Sequence, residues 1–298
     1  MTLRLATRRS PLALIQARYV QGRLAEHGLE SELVLVETKG DREAGLDLAS
    51  MGGEGLFAVE IQRALLHGEA DVAVHSAKDL PSSTPDGLAL VSVPERRDPA
   101  DVLVGRSLAG LGPGATVATG SPRRRGLLLE RRPDLQVVSL RGNMATRLSA
   151  AGKNGVDAIV AAMAAIERLD ASGLVSERLD PTWFVPQVGQ GALALEARVD
   201  DDDVREALLS INDESALKAV VAERAFLEEL GAGCAIPAGA NADVDGETLT
   251  LRGVMIAPDS TKSVRGELVG TNPHQLGSDL ARLLRDDMGG GALLGWES

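Results

Sequence analysis

The 298-residue chain holds a single cysteine, Cys234. That excludes an internal disulfide and any metal site assembled from several cysteines. Aromatic residues make up only 2%, so a surface that works by stacking would be sparse. No apolar run approaches the length needed to span a bilayer, and Met1 leads directly into Leu3-Arg4-Leu5-Ala6 without the apolar core of a signal peptide. The expectation is a cytoplasmic protein with no membrane partner. Net positive charge is missing as well: the formal charge of −12 argues against a nucleic-acid partner, whose binding surface should be basic.

The positive charge that is present is nearly all arginine. Of 31 basic residues, only Lys39, Lys78, Lys153, Lys218 and Lys262 are lysines. An acidic chain that gathers arginines locally suggests a specific anionic ligand, because the guanidinium fork matches carboxylate and phosphate. The length allows two or three domains, and 44% hydrophobic residues mark the chain as globular.

The stretch from Ala70 to Pro81 organises the rest. Asp71-Val72-Ala73-Val74 reads as a short buried strand, and the chain then turns polar at His75, Ser76, Lys78 and Asp79 before Pro81 breaks the register. Polar groups at the carboxyl end of a strand are where open α/β sheets bind ligands. An ordinary exposed loop pair is the alternative on this stretch alone. Upstream, a strand at 3–7 meets Arg8-Arg9-Ser10-Pro11 and a helix from 12 to about 27; Ser10 suits the N-cap and Pro11 the first helical position. A strand at 32–38 follows, then a glycine-rich loop around 51–55, expected to be mobile, and a helix opened by Phe57. This β-α-β-α-β order predicts a mainly parallel sheet with helices on both faces.

After a strand at 88–93, the proline-bracketed segment 94–99 reads as a domain crossing. A second βα series starts at 101–104. At Thr119-Gly120-Ser121-Pro122 the opening strand-to-helix turn is repeated, now with Arg123, Arg124 and Arg125 in the first helical turn, where the helix dipole disfavours cations. An anionic ligand accounts for that placement. Arg141 stands at the end of a strand at 136–140, Asn143 caps the next helix with Arg147 following, and Arg168 lies in the helix after a strand at 157–161. Residues 186–192 read as a return crossing into a last strand at 193–197. The acidic run 200–203 starts a solvated helix, and a long helix from 214 to 230 ends at Gly231. Gly231-Ala232-Gly233-Cys234 presents the cysteine on a loop, where it is either a small buried hydrophobe or an accessible thiol. Strands at 248–256 and 263–269 and a helix at 273–288 form a small α+β unit, and Gly289-Gly290-Gly291 begins a frayed tail. His75 has no histidine or cysteine at ligand spacing, so it reads as structural and no metal is expected.

Six motifs in order make the chain resemble the porphobilinogen deaminases, also called hydroxymethylbilane synthases. They are Ala6-Thr7-Arg8-Arg9-Ser10-Pro11-Leu12-Ala13, His75-Ser76-Ala77-Lys78-Asp79-Leu80-Pro81, Ser121-Pro122-Arg123-Arg124, Ser139-Leu140-Arg141-Gly142-Asn143, Val188-Gly189-Gln190-Gly191-Ala192 and Gly233-Cys234. The resemblance spans about residues 3–288. It implies an α/β fold of two periplasmic-binding-protein-like doubly wound domains, 1–94 with 192–210 and 98–188, plus a small C-terminal α+β domain, 212–298. It also implies a monomeric transferase of tetrapyrrole (haem) biosynthesis that joins four porphobilinogen molecules head to tail, with loss of ammonia, into hydroxymethylbilane. The chain grows on a dipyrromethane cofactor, which the resemblance attaches through Cys234. By the same resemblance Asp79 and Lys78 are catalytic; Ser76, Lys78, Asp79, Thr119, Ser121, Arg123 and Arg124 hold the cofactor; and Arg8, Ser10, Phe57, Arg141, Arg147, Arg168 and Gln190 meet substrate. Many relatives carry lysines where this chain has Ser50 and Glu54. A non-catalytic two-lobed carboxylate-binding protein is the rival reading, and would need the arginines but neither Asp79 nor an accessible Cys234.

Overall fold

The computed structural model describes residues 1–38, 58–231, 236–260 and 262–296. Phe57, Cys234, Ser50, Glu54 and the glycine-rich loop lie outside these residues.

The first lobe starts with β1 (Thr2–Arg8), α1 (Pro11–Glu26) and β2 (Glu30–Val36), continues with α2 (Val59–Leu66) and β3 (Val72–Ser76), and reaches its edge at β4 (Leu88–Ser92). The first helix begins for a local reason. Ser10 caps α1 by accepting from the backbone N–H of Ala13 at 3.3 Å, with Pro11 at the first position. The second lobe contains β5 (Asp101–Val104), β6 (Thr116–Ala118), α3 (Pro122–Arg131), β7 (Gln136–Val138), α4 (Met144–Ala150), β8 (Ala158–Ala162), α5 (Met163–Arg168) and β9 (Val175–Arg178). The chain then returns to the first lobe as β10 (Leu193–Arg198), followed by α6 (Asp202–Leu209).

The two sheets share one plan. Their orders are β2-β1-β3-β10-β4 and β7-β6-β8-β5-β9. In each, the fourth strand runs antiparallel to both neighbours: β10 to β3 and β4, β5 to β8 and β9. Each of these reversed strands is the one that arrives from the other lobe. A chain that crosses at the carboxyl ends of the parallel strands must enter the next sheet from that end, so it runs the opposite way. The expected sheet is thus mainly parallel, with one reversed strand per lobe that periodicity does not reveal.

The third unit packs α7 (Glu214–Glu229) on β11 (Ala238–Asp245), β12 (Thr248–Ile256) and β13 (Ser263–Gly270), with α8 (Pro273–Arg282) against α7. Its core includes Phe226, Leu251, Met255 and Leu280. β11 and β9 were not expected. The sequence of β11, Ala-Gly-Ala-Asn-Ala-Asp-Val-Asp, has almost no strand propensity, and its form comes from eight paired residues along β12. The expected frayed tail is also corrected. After α8 the chain makes a wider turn at Leu283–Asp287 and then α9 (Gly290–Leu293), with Gly290 and Gly291 buried and Trp296 packed on the third core. Gly290 lies so close to this core that a Cβ would stand 2.5 Å from the Leu284 carbonyl oxygen and 2.8 Å from Met255 Sδ. These glycines allow close packing rather than looseness. No helix among the described residues is long and apolar enough to cross a membrane.

Candidate active site

β3 is buried along Val72–His75 and emerges at Ser76. A single 3₁₀ turn, Ala77–Asp79, follows, pinned to the return crossing by the Ala77 N–H donating to the Ala192 carbonyl at 3.1 Å. Gly189 of that crossing has φ +71°, and a Cβ there would stand 2.9 Å from the Ala77 carbonyl carbon. The turn is therefore clamped between its own strand and the crossing.

Clamping the turn points successive side chains into adjoining pockets. Arg8, Ser10, Gln16, His75, Ser76 and Asp79 line one, inside the first lobe. Lys78, Ser121, Arg123, Gln187, Arg224 and Ile236 line the other, where both lobes meet the third unit. Ser76 Oγ accepts from Gln16 Nε2 at 2.8 Å. Burial pushes Lys78 down to about 8, and the neighbouring Arg124 adds to that, while Asp79 and Asp101 pull the other way. Its Nζ reaches Gln190 Oε1 at 3.4 Å.

The arginines at the start of α3 have their counter-ion inside the protein. Asp101, wholly buried at the start of β5, accepts from Arg123 Nη2 at 2.7 Å and from Arg124 Nη2 at 2.6 Å. Arg123 also donates to the Val185 carbonyl, at 2.5 Å, and its Nε is buried with no partner among the described residues. Burial opposes the charge on Asp101, but the two guanidinium groups prevail and hold its carboxyl at about 2. Two cations on one anion leave a surplus of positive charge beside Lys78, so the first-turn arginines are answered in part from within. Asp101→Asn is expected to lower stability by about 3–5 kcal/mol at neutral pH, because two guanidiniums stay buried without a charged partner. In the wild type this contribution is fully present above the ordinary carboxylate value of 3.8 and is lost progressively as pH falls from there to about 2. Denaturant unfolding of the two proteins at several pH values measures both.

The other expected site residues divide. Thr119 is buried, and its Oγ1 accepts from the Ser121 N–H at 3.2 Å; Ser121 in turn caps α3. Arg147 is desolvated and lies within the electrostatic reach of both Arg124 and Asp79. Gln190 has no exposed surface: it donates to the Pro99 carbonyl and to Asp101 and accepts from Arg124, which makes it a brace between crossing and lobe. Arg168 donates to the Gly191 carbonyl at 2.8 Å, and burial, with Arg97 nearby, lowers it to about 10. Arg141 is exposed and lines neither pocket. Sequence reasoning missed Asp101, Gln187, Arg224 and Glu223. The last is buried on α7 and accepts from Arg96 Nη1 and the Gly189 N–H, both at 2.7 Å, tying the third unit to both crossings. An acid inside the apolar run Asp101-Val102-Leu103-Val104 was the one available signal. Among the described residues no group of three His, Cys, Asp or Glu side chains could hold a metal.

Two family models cover most of the chain. The porphobilinogen deaminase dipyrromethane cofactor binding domain matches residues 3–206, and the porphobilinogen deaminase C-terminal domain matches 217–286. The chain is 43% identical over 293 residues to the porphobilinogen deaminase of Geobacter sulfurreducens, covering 96% of this chain and 92% of the relative. The Geobacter metallireducens enzyme of the same name is 42% identical over 291 residues, with the same coverage. Among solved structures, the methionine-binding protein MetQ covers 73% of this chain and 92% of its own at a TM-score of 0.45 and 14% identity, too distant to bear on ligand.

Proposed function

Because the chain belongs to the porphobilinogen deaminase family, and so condenses four porphobilinogen molecules head to tail into hydroxymethylbilane with loss of ammonia, we propose that its two adjoining pockets divide the work between coupling and anchoring. The observation that carries this is the turn Ala77–Asp79, which sends Asp79 into one pocket and Lys78 into the other.

In the coupling pocket, Arg8 and Ser10 receive the acetate and propionate of porphobilinogen, and Arg147 adds positive charge. Asp79 faces the pyrrole nitrogen and steadies the cation left on the substrate when ammonia departs, as a fixed carboxylate can. Arg141 and Arg168 serve carboxylates further along the gap. Gln190 keeps Arg124 and Lys78 in place from behind.

The second pocket suits the dipyrromethane. Lys78, Ser121, Arg123 and Arg224 offer donors for four carboxylate arms, the buried Arg123 Nε has no partner among the described residues, and Leu80, Val188, Leu227 and Ile236 supply an apolar wall for flat rings. When bound, the cofactor supplies the pyrrole carbon from which the product grows. Ile236 stands two residues beyond Cys234, which supports Cys234 as the point of attachment. The rival reading as a non-catalytic binder has no observation in its favour. A monomer working in the cytoplasm without a nucleic-acid partner, with domain boundaries at 1–94 plus 192–210, 98–188 and 212–298, belongs to the same proposal. The acidic charge supports the absence of a nucleic-acid partner, and the two crossings support the boundaries.

Lys78 gives this reading a pH test. Since its amine titrates at about 8, it loses its charge, and with it a carboxylate partner, just above neutrality. Loading of the cofactor-free protein with its dipyrromethane is expected to slow as pH passes through that value, and Lys78→Arg to abolish the slowing. A flat wild-type profile, or identical slowing in the variant, would remove Lys78 from carboxylate binding. The sign for stability is opposite: between about 8 and the ordinary lysine value of 10.5 the unfolded chain holds more protons, so the unliganded fold gains stability with pH there.

A further inference from the structure

Behind the Asp79 pocket stands a buried group of polar side chains that the reading above leaves unused. The His75 side chain, on β3, is 4% exposed and that of Glu196, on β10, is 0% exposed. His75 Nε2 lies 3.2 Å from Glu196 Oε2, within ion-pair reach but not aligned as a hydrogen bond, and that buried nitrogen has no hydrogen-bond partner among the described residues. Glu196 also accepts from Gln62 Nε2 of α2, at 2.9 Å to Oε2 and 3.3 Å to Oε1. Burial would push the Glu196 carboxyl up, but His75 and Gln62, helped by Arg224 of α7, hold it below the usual carboxylate value. A carboxylate thus backs an imidazole that lines the same pocket as Arg8, Ser76 and Asp79.

The reaction needs a proton acceptor at that place. Each coupling forms a bond between the aminomethyl carbon of one porphobilinogen and the free α-carbon of the pyrrole before it. A C–N bond breaks and releases ammonia, and a C–H bond breaks and releases a proton. If Asp79 took that proton it would lose the charge with which it steadies the cation. An imidazole oriented by a buried carboxylate is the usual arrangement for a general base.

We propose that His75, beside Glu196, accepts the proton that the pyrrole α-carbon loses at each coupling, after ammonia has left, and releases it to solvent. Nε2–H faces Glu196, and Nδ1 takes the proton from carbon. Water then takes it up, so that each coupling releases one ammonia and one proton, and the imidazole returns to its neutral form. This rests on the reading of the Asp79 pocket as the place of coupling.

The test compares porphobilinogen with its α-deuterated form on the cofactor-loaded enzyme. Wild type is expected to use both at the same rate. His75→Gln is expected to slow hydroxymethylbilane formation by roughly 10²-fold or more and to show a primary isotope effect, since C–H cleavage then limits the rate. Glu196→Gln keeps shape and neighbours and is expected to show a smaller isotope effect. Separately from activity, ¹⁵N spectra of histidine-labelled wild type are expected to show His75 protonated at Nε2 and bare at Nδ1. Wild-type turnover in His75→Gln, slowing without an isotope effect, or the opposite tautomer overturns the proposal. Should His75→Gln fail to fold, the presence or absence of an isotope effect in Glu196→Gln decides. The two readings fail apart: a slow Asp79→Asn beside an isotope-insensitive His75→Gln overturns only this one, whereas normal turnover in Asp79→Asn overturns the pocket reading.

Discussion

Asp79→Asn is expected to fold, to carry its cofactor, and to make hydroxymethylbilane about 10²–10⁴ times more slowly than wild type. The carboxylate is exposed at the tip of a turn whose hold comes from backbone: the Ala77 N–H on the Ala192 carbonyl, and Gly189 packed against the turn. Removing its charge therefore costs little stability. What is lost is the fixed negative charge facing the cation left by ammonia. Asparagine keeps the volume and one acceptor oxygen but places no charge there. The defect should fall on kcat more than on KM, because Arg8 and Ser10 of the same pocket, proposed above as the carboxylate partners, are untouched. Steady-state rates of porphobilinogen consumption, with a thermal melt and an intact mass on the same preparation, measure this. Near-normal consumption would take Asp79 out of the chemistry.

Cys234→Ala is expected to abolish turnover outright, and to do so by losing a mass. Protein made in porphobilinogen-producing cells should weigh more than its polypeptide by two porphobilinogen units less two molecules of ammonia, and the variant should weigh as bare polypeptide. The chain has no other cysteine that could take over the thioether. The vacated pocket brings together Lys78, Arg123 and Arg224. With no polycarboxylate to offset that charge, the variant should also melt at a lower temperature than the loaded enzyme, as any protein does that loses a ligand bound only by its folded form. Unmodified wild-type protein from such cells, or an adduct that survives in Cys234→Ala, would place the attachment elsewhere.

Much of the arrangement was open to reading from residue order. Caps such as Ser10-Pro11 and Ser121-Pro122 act within a few residues, so the helix starts they predict are where the structure has them. The echo between those two turns foreshadowed two lobes of one plan. Three things were beyond reach. The reversed strands β5 and β10 follow from where the crossings enter. β11 has no propensity of its own and is ordered by β12. Arg123 and Arg124 look from sequence like ligands for an external anion, whereas Asp101, more than 20 residues upstream, shares them.

The sequence by itself determined which side chains carry charge, where strands give way to polar turns, and that one thiol is available. Caps, prolines and alternating apolar residues act over a few bonds, so these features need no knowledge of the rest of the chain. Tertiary structure alone decided which charges are spent inside the protein and which face a pocket. It turned Lys78 and Asp79 to different pockets, enclosed Gln190, and set Glu196 behind His75. Those outcomes depend on desolvation and on partners that lie far apart in the chain and meet only when the lobes close on their crossings.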